Sequence, residues 1–258
     1  PALLGELLPL LHGDAPTLNG RAVAENVDAG GSQDTDVLRP LSDPLAGGGA
    51  IAVVRGSLAP NGAVIKRSCA SPDLLRHRGP AHVFEDVHHL GECIGDPSLP
   101  VTAETVLVLK NGGPKGAPGF PEYGHVTMPE RLLRQGVRDA VRISDSRMSG
   151  TSAGTVVLHV SPEAALPGPL SAVRTGDWID LDVDEGRLDL ELDAAEVRRR
   201  LDELEPPPPA YERGYGALYL DHVLQADEGA DFDFLRNPSG SRPDPVPLGL
   251  LQGWVGHG

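Results

Sequence analysis

From Gly47 onward the chain is a succession of short β-forming runs cut by Gly and Pro: "AIAVVRGSL", "AVIKRSC", "AHVFEDV", "TVLVLK", "DAVRIS" and "GTVVLHV". No run of this length buries an apolar face alone, so the series predicts a sheet-rich core, closed on itself or stacked in layers. "DWIDLDV" and "RLDLEL" alternate apolar and polar residues around "DEG" and predict a hairpin. Helices are expected where the period changes. "MPERLLRQGV" reads as one, with Pro129 in its first turn and Gly136 as its stop. Asp193, three residues before Glu196, predicts a capped helix over "AAEVRRRLDEL". At the start, "PALLGELLPLLHG" has near-helical apolar spacing with Gly13 as C-cap, and "TLNGRAVAENV" suggests a short helix capped by Asn19. The expected class is mixed α/β. Residues 1–46 form a helical lead-in, 47–205 a β-rich core with flanking helices, and 206–258 a Pro-rich spacer (Pro206 to Pro209) and a tail loosely ordered from Arg236.

Composition narrows the partners. At 258 residues the chain can bury a substantial core, and 22 Lys plus Arg against 37 Asp plus Glu give a formal charge of −15. That balance argues against nucleic acid or an anionic membrane surface, but not against a small anion held by local positive charge or a metal. The two cysteines, Cys69 and Cys93, are too few for a disulfide framework or for a metal cluster built within this chain. They read as free thiols in a reducing compartment, hence a cytoplasmic expectation. No apolar run reaches bilayer-spanning length, and the N-terminal residues lack a basic region and a cleavage site, so they do not read as a signal peptide. A chain that opens on Pro reads as a fragment or a processed form.

Two polar segments stand apart from this texture. "NGGPKGAPGFPEYGH", Asn111 to His125, follows a predicted strand and carries five glycines, three prolines, Lys115 and Glu122. Such a stiffened loop is either plain surface or a place where Glu122 offers a hard oxygen to a divalent ion such as magnesium. "VRISDSRMSGTSAGTVVLHVSPEA", Val141 to Ala164, joins two β-forming runs through Ser149, Gly150 and Thr151. On an extended backbone Ser149 and Thr151 face one side; the alternative is a hydroxyl-rich turn that satisfies its own backbone. The chain has no G-x-x-x-x-G-K-[ST], which argues against a phosphate loop, and Ser149 lacks the preceding glycine that G-x-S-x-G requires, which argues against its being a serine-hydrolase nucleophile. Adjacent His88 and His89 cannot chelate as a pair, His77 reads as a surface or locally bonded residue, and His159 as a half-buried strand residue.

These two segments, in this order, resemble the C-terminal half of the dihydroxy-acid and phosphogluconate dehydratase family. "GGGAIAVVRGSLAPNGAVIKRS" and "HRGPAHVFED" extend the likeness over Leu3 to Leu235. "RISDSRMSGT…VLHVSPEAA…GPL", "ASPDLLRHRGPA" and "HVLQADEGADFDFL" are most similar to the sugar-acid (aldonate) branch. The resemblance implies a β-barrel-like sheet core flanked by helices, akin to the swivelling domain of the aconitase group. It implies dehydration of a 2,3-dihydroxy acid to a 2-keto acid, with an iron–sulfur cluster and Mg2+ as cofactors. Ser149 matches the family's alkoxide base, Thr151 a neighbouring substrate-binding hydroxyl, and Glu122 a magnesium ligand. Neither Cys69 nor Cys93 matches a cluster cysteine, so the resemblance places the cluster ligands, and most magnesium ligands, in an N-terminal domain outside this chain. The implied partners are a small sugar acid, that N-terminal domain and further copies of the enzyme; the isolated chain is expected to be inactive and free of iron. Two departures are noted: Ala153 stands where sugar-acid members carry an aromatic residue, and the 23 residues after Leu235 do not resemble the family's short tail. The alternatives are a branched-chain dihydroxy-acid dehydratase and a stand-alone, non-catalytic module of the same fold.

Overall fold

The computed structural model describes residues 1–27, 34–45, 47, 49–205 and 210–236. The chain divides into two compact units, Pro1–Ala50 and Ile51–Gly258. In the first, α1 (Ala2–Leu7) tightens into a 3-10 turn over Leu8–Leu10, where Pro9 cannot donate to a further α-helical bond. That turn ends three residues before Gly13, so the cap expected there is not used. A short α2 (Val23–Asn26) follows, started by Ala22, whose N–H donates to Glu25 Oε2 at 2.8 Å. Asn19, the expected cap, instead accepts the Arg21 N–H, a local turn that its short side chain also favours. No described residue of this unit is buried.

In the second unit eight strands form one sheet: β1 (Ala52–Val54), β2 (Gly62–Ile65), β3 (Arg76–Phe84), β4 (Val106–Leu109), β5 (Arg142–Ser144), β6 (Val156–Ser161), β7 (Trp178–Asp182) and β8 (Arg187–Leu190). Their spatial order is β1-β2-β6-β5-β4-β3-β7-β8. The four central strands β3, β4, β5 and β6 run parallel, and antiparallel β2–β1 and β7–β8 flank them. A bridge between Arg55 and Arg187, with Leu188 N–H donating to the Arg55 carbonyl at 2.8 Å, joins the outer edges. The sheet is thus nearly closed into a barrel, with part of each outer edge paired at this bridge. The expected β-barrel-like core with flanking helices is the architecture found.

The side-chain period explains the layers. Val106 and Val108 of β4 face an interior shared with Val54, Ile65, Val83, Ile143, Val157, Ile179, Leu181 and Leu188. Leu107 and Leu109 face outward, into a second core with Phe84, Leu90 and Leu132. Leu90 lies on α3 (Val87–Cys93) and Leu132 on α4 (Glu130–Arg134), so this part of the barrel is covered on both faces, as parallel strands require. The run "AHVFEDV" is therefore not one strand: β3 stops at Phe84, and Asp86 caps α3 by accepting the N–H groups of His88 and His89 at 2.8 Å. Pro129 precedes α4 rather than lying in its first turn, and Gly136 follows with φ 86°.

After β6 come α5 (Pro169–Ala172), the β7–β8 hairpin, α6 (Ala194–Asp202) and α7 (Gly214–His222). Asp193 caps α6 through the Glu196 N–H, but the reciprocal half of the box is missing. The Glu196 carboxylate turns to Arg199 and Arg200 instead, where charge-assisted bonds are stronger. The proline spacer and the tail beyond Arg236 lie outside the described residues. One irregularity matters below: opposite Ala63, β6 inserts an extra residue, and His159 sits at this bulge with φ 55°.

Candidate active site

Parallel strands send their connections to one end of the sheet, and ligands of such sheets bind at that C-terminal end. The loop after β4 begins at Lys110 and the loop after β5 at Asp145, so the two polar segments singled out in the sequence are neighbours. They are stitched together. Gly112 N–H donates to Asp145 Oδ1 at 2.8 Å, Tyr123 N–H to Ser146 Oγ at 3.1 Å, and Gly124 N–H to the Arg147 carbonyl at 2.8 Å. Arg147 Nε in turn donates to the Phe120 carbonyl at 2.5 Å.

The glycines of the first loop serve this contact. A methyl group on Gly112 would come within 2.6 Å of the Ser146 side chain, and one on Gly113 within 2.6 Å of Glu163. Glu163 follows β6, is buried, and accepts the N–H groups of Lys115 and Gly116. Gln225, beyond α7, binds Glu163 from the other side, accepting its N–H at 3.0 Å and donating to its carboxylate. Asp145 is fully buried and spans both loops, taking Gly112 on one oxygen and Ala164 on the other. Burial pushes the Asp145 carboxyl up to about 6, against the pull of its N–H donors, and Glu163 is raised for the same reason. Neither carboxylate was singled out in the sequence. The available signal was acidic residues placed directly after apolar strands.

Ser149 and Thr151 do not sit on an extended strand. Residues 149–152 form a tight turn closed by the Ser152 N–H on the Ser149 carbonyl at 3.1 Å, and within it the two hydroxyls meet at 3.0 Å. Buried Met148, packed with Val156 and Leu158, anchors the turn on the barrel wall. Ser149 is half-buried and Thr151 exposed, so the hydroxyl pair is open to a ligand. Glu122 is also exposed, and its ionic partner is Arg147 at 3.8 Å, two residues before Ser149. The structure therefore brings Ser149, Thr151 and Glu122 onto one knitted pair of loops. His159 adds an aromatic wall: its ring meets Phe120 edge-on at 5.4 Å, and burial together with Arg147 lowers its pKa. A cavity of about 380 Å³ between Lys110, Leu166, Arg174 and Leu201 is lined by none of the three candidate residues.

As a metal ligand Glu122 fits in kind: it is an exposed carboxylate on a braced loop. Among the described residues no group of three or more His, Cys, Asp or Glu is placed to hold a metal. The same residues do not fit an iron–sulfur cluster, since Cys93 lies on α3 against the outer core and Cys69 in a separate 3-10 turn. His77 is half-buried, and its ring lies 2.9 Å from the carbonyl of Glu104, 27 residues along the chain, so its bond is not the local one expected. His88 and His89 lie on α3, where His89 accepts the Glu85 N–H. No helix among the described residues is long and apolar enough to cross a membrane.

The fold is thus a barrel that carries, at the C-terminal end of its parallel strands, a braced hydroxyl turn beside the Glu122 loop. Residues 36–230 match the family model described as dihydroxy-acid/6-phosphogluconate dehydratase C-terminal, and the chain belongs to that family. It is 53% identical, over 94% of its length, to an L-arabonate dehydratase of Azospirillum brasilense, and 49% identical over 91% to a 6-deoxy-6-sulfo-D-gluconate dehydratase of Pseudomonas putida. Identity to a dihydroxy-acid dehydratase of Acetivibrio thermocellus is 38% over 89% of the chain. The chain spans 41–42% of the length of these relatives.

Proposed function

We propose that this chain is the C-terminal part of a hydro-lyase that converts a 2,3-dihydroxy sugar acid (an aldonate) to a 2-keto-3-deoxy acid. The observation that carries this reading is the single loop pair holding the Ser149–Thr151 hydroxyls, 3.0 Å apart, beside the Glu122 loop. The higher identity to relatives named for sugar acids than to dihydroxy-acid dehydratases supports the aldonate over the branched-chain substrate.

Water elimination starts at the carbon next to the carboxylate, whose proton is weakly acidic and needs a base held beside it. Ser149 Oγ takes that proton. Thr151 Oγ1 hydrogen-bonds Ser149, directs its lone pair and is free to turn to a substrate hydroxyl. Loss of the neighbouring hydroxyl leaves an enol, which tautomerises to the 2-keto acid. Glu122 would hold magnesium, which when bound supplies positive charge for the enolate-like oxygens and favours the serine alkoxide. The cluster implied by the resemblance is assigned to the part of the longer protein outside this chain, together with the remaining metal ligands.

The test uses the full-length protein, assayed on arabonate, xylonate and dihydroxyisovalerate. The aldonates are expected to turn over faster than the branched-chain acid. Ser149→Ala is expected to lower kcat at least about a thousandfold with the cluster absorption unchanged. Near-normal turnover in that variant refutes the role of Ser149.

A further inference from the structure

The serine turn poses a mechanical problem. Between buried Met148 and buried Thr155 lie six small residues, Ser149 to Gly154, none of them buried. Nothing approaches within 4 Å of the place where a Gly150 side chain would stand. A segment without an apolar anchor keeps most of its backbone entropy, so one conformation must be held by polar contacts. Four lie within the segment or at its end: the Ser152 N–H on the Ser149 carbonyl, the hydroxyl pair, the Thr151 N–H on Ser149 Oγ at 3.4 Å, and the Gly154 N–H on the Cys69 carbonyl at 2.9 Å. A further contact comes from the end of β2, the strand beside β6. Lys66, one residue beyond β2, donates from Nζ to the Gly150 carbonyl at 2.6 Å and to the Ser152 carbonyl at 2.7 Å.

Those two carbonyls belong to the peptide groups of Gly150–Thr151 and Ser152–Ala153. They bracket Thr151 along the chain, so fixing both restrains the backbone path of residues 150–152. We propose that Lys66 is a positioning residue of the serine turn, its ammonium clamping the Gly150 and Ser152 carbonyls and so holding the turn in which Thr151 Oγ1 meets Ser149 Oγ. The inference rests on the reading of Ser149 as the reacting hydroxyl, and adds to it a part that touches neither substrate nor metal. Lysine suits the task because one ammonium bonds two acceptors at once. Arginine, with its forked donors, can span the same two oxygens, whereas methionine has similar length and no donor.

The experiment compares Lys66→Met and Lys66→Arg in the full-length protein. Hydrogen exchange of a peptide covering residues 149–154 reads the clamp directly. It is expected to speed up about tenfold in Lys66→Met, and to return toward the parent rate in Lys66→Arg. With an aldonate, Lys66→Met is expected to lower kcat by about ten- to a hundredfold and to change KM less than about threefold, and Lys66→Arg to recover most of the loss. Unchanged exchange in Lys66→Met overturns the clamp. Faster exchange with unchanged kcat, or a kcat loss that arginine does not repair, overturns its link to turnover. Ser149→Ala with near-normal kcat would instead refute the underlying reading and leave the exchange result standing.

Discussion

Gly113 and Gly150 sit in the two polar loops under opposite constraints. A Cβ on Gly113 would strike buried Glu163 at 2.6 and 2.8 Å, whereas one on Gly150 meets open space. Gly113→Ala is expected to cost about 1–3 kcal/mol in urea unfolding and Gly150→Ala less than about 0.5 kcal/mol, and equal values would contradict this packing. Asp145 gives a pH-dependent counterpart. Its folded value, about 6, lies above the ordinary 3.8, so the folded protein holds this proton more tightly than the unfolded chain does. Stability from this residue is therefore present in acid and declines as pH rises between those two values, by about 3 kcal/mol in all. Asn has no such proton. The Tm of Asp145→Asn relative to the parent is expected to rise between about pH 4 and pH 7, and a constant difference across that range would show that Asp145 is not the group responsible. Ser149, Thr151 and Glu122 were legible in the sequence because polar residues among Gly and Pro interrupt β-forming runs. Asp145, Glu163 and Lys66 were not, since what sets them apart is a bond to a distant backbone.

At the level of elements, Gly and Pro mark the strand ends well, and the β7–β8 hairpin declares itself by alternation around Gly186. Local pattern fails where one element runs into the next. Phe84, Glu85 and Asp86 carry β3 into α3 with no Gly or Pro between them, and the Asp86 cap is the local mark of the change. α7 lacked a usable signal because none of its residues is buried and so no periodic stripe is required. Spatial order is harder still: β6 lies between β2 and β5, a pairing set by contacts about a hundred residues apart, such as Ile65 with Val157. The same non-local order lets the segment after β2 deliver Lys66 beneath a turn that follows β5.

For the whole molecule, the decisive element is the seam. The barrel closes at Arg55 and Arg187, and Leu188 joins both partners there: its backbone bonds to Arg55 and Leu58, and its side chain is fully buried in the interior core. Leu188→Ala is expected to lower stability by about 2–5 kcal/mol and to speed amide exchange in residues 52–58 and 187–190 above other strands. Uniform loosening of all strands would argue that closure is not local to this seam. The bulge in β6 has a different reach. Because one additional residue is absorbed at His159, Val157 and Val160 both point into the barrel although three positions separate them. A one-residue insertion beside the bulge would move Val160 one step along the pleat and turn it out of the barrel, swinging the Glu163 anchor away from the loop it braces. This stretch can change its letters more readily than its count.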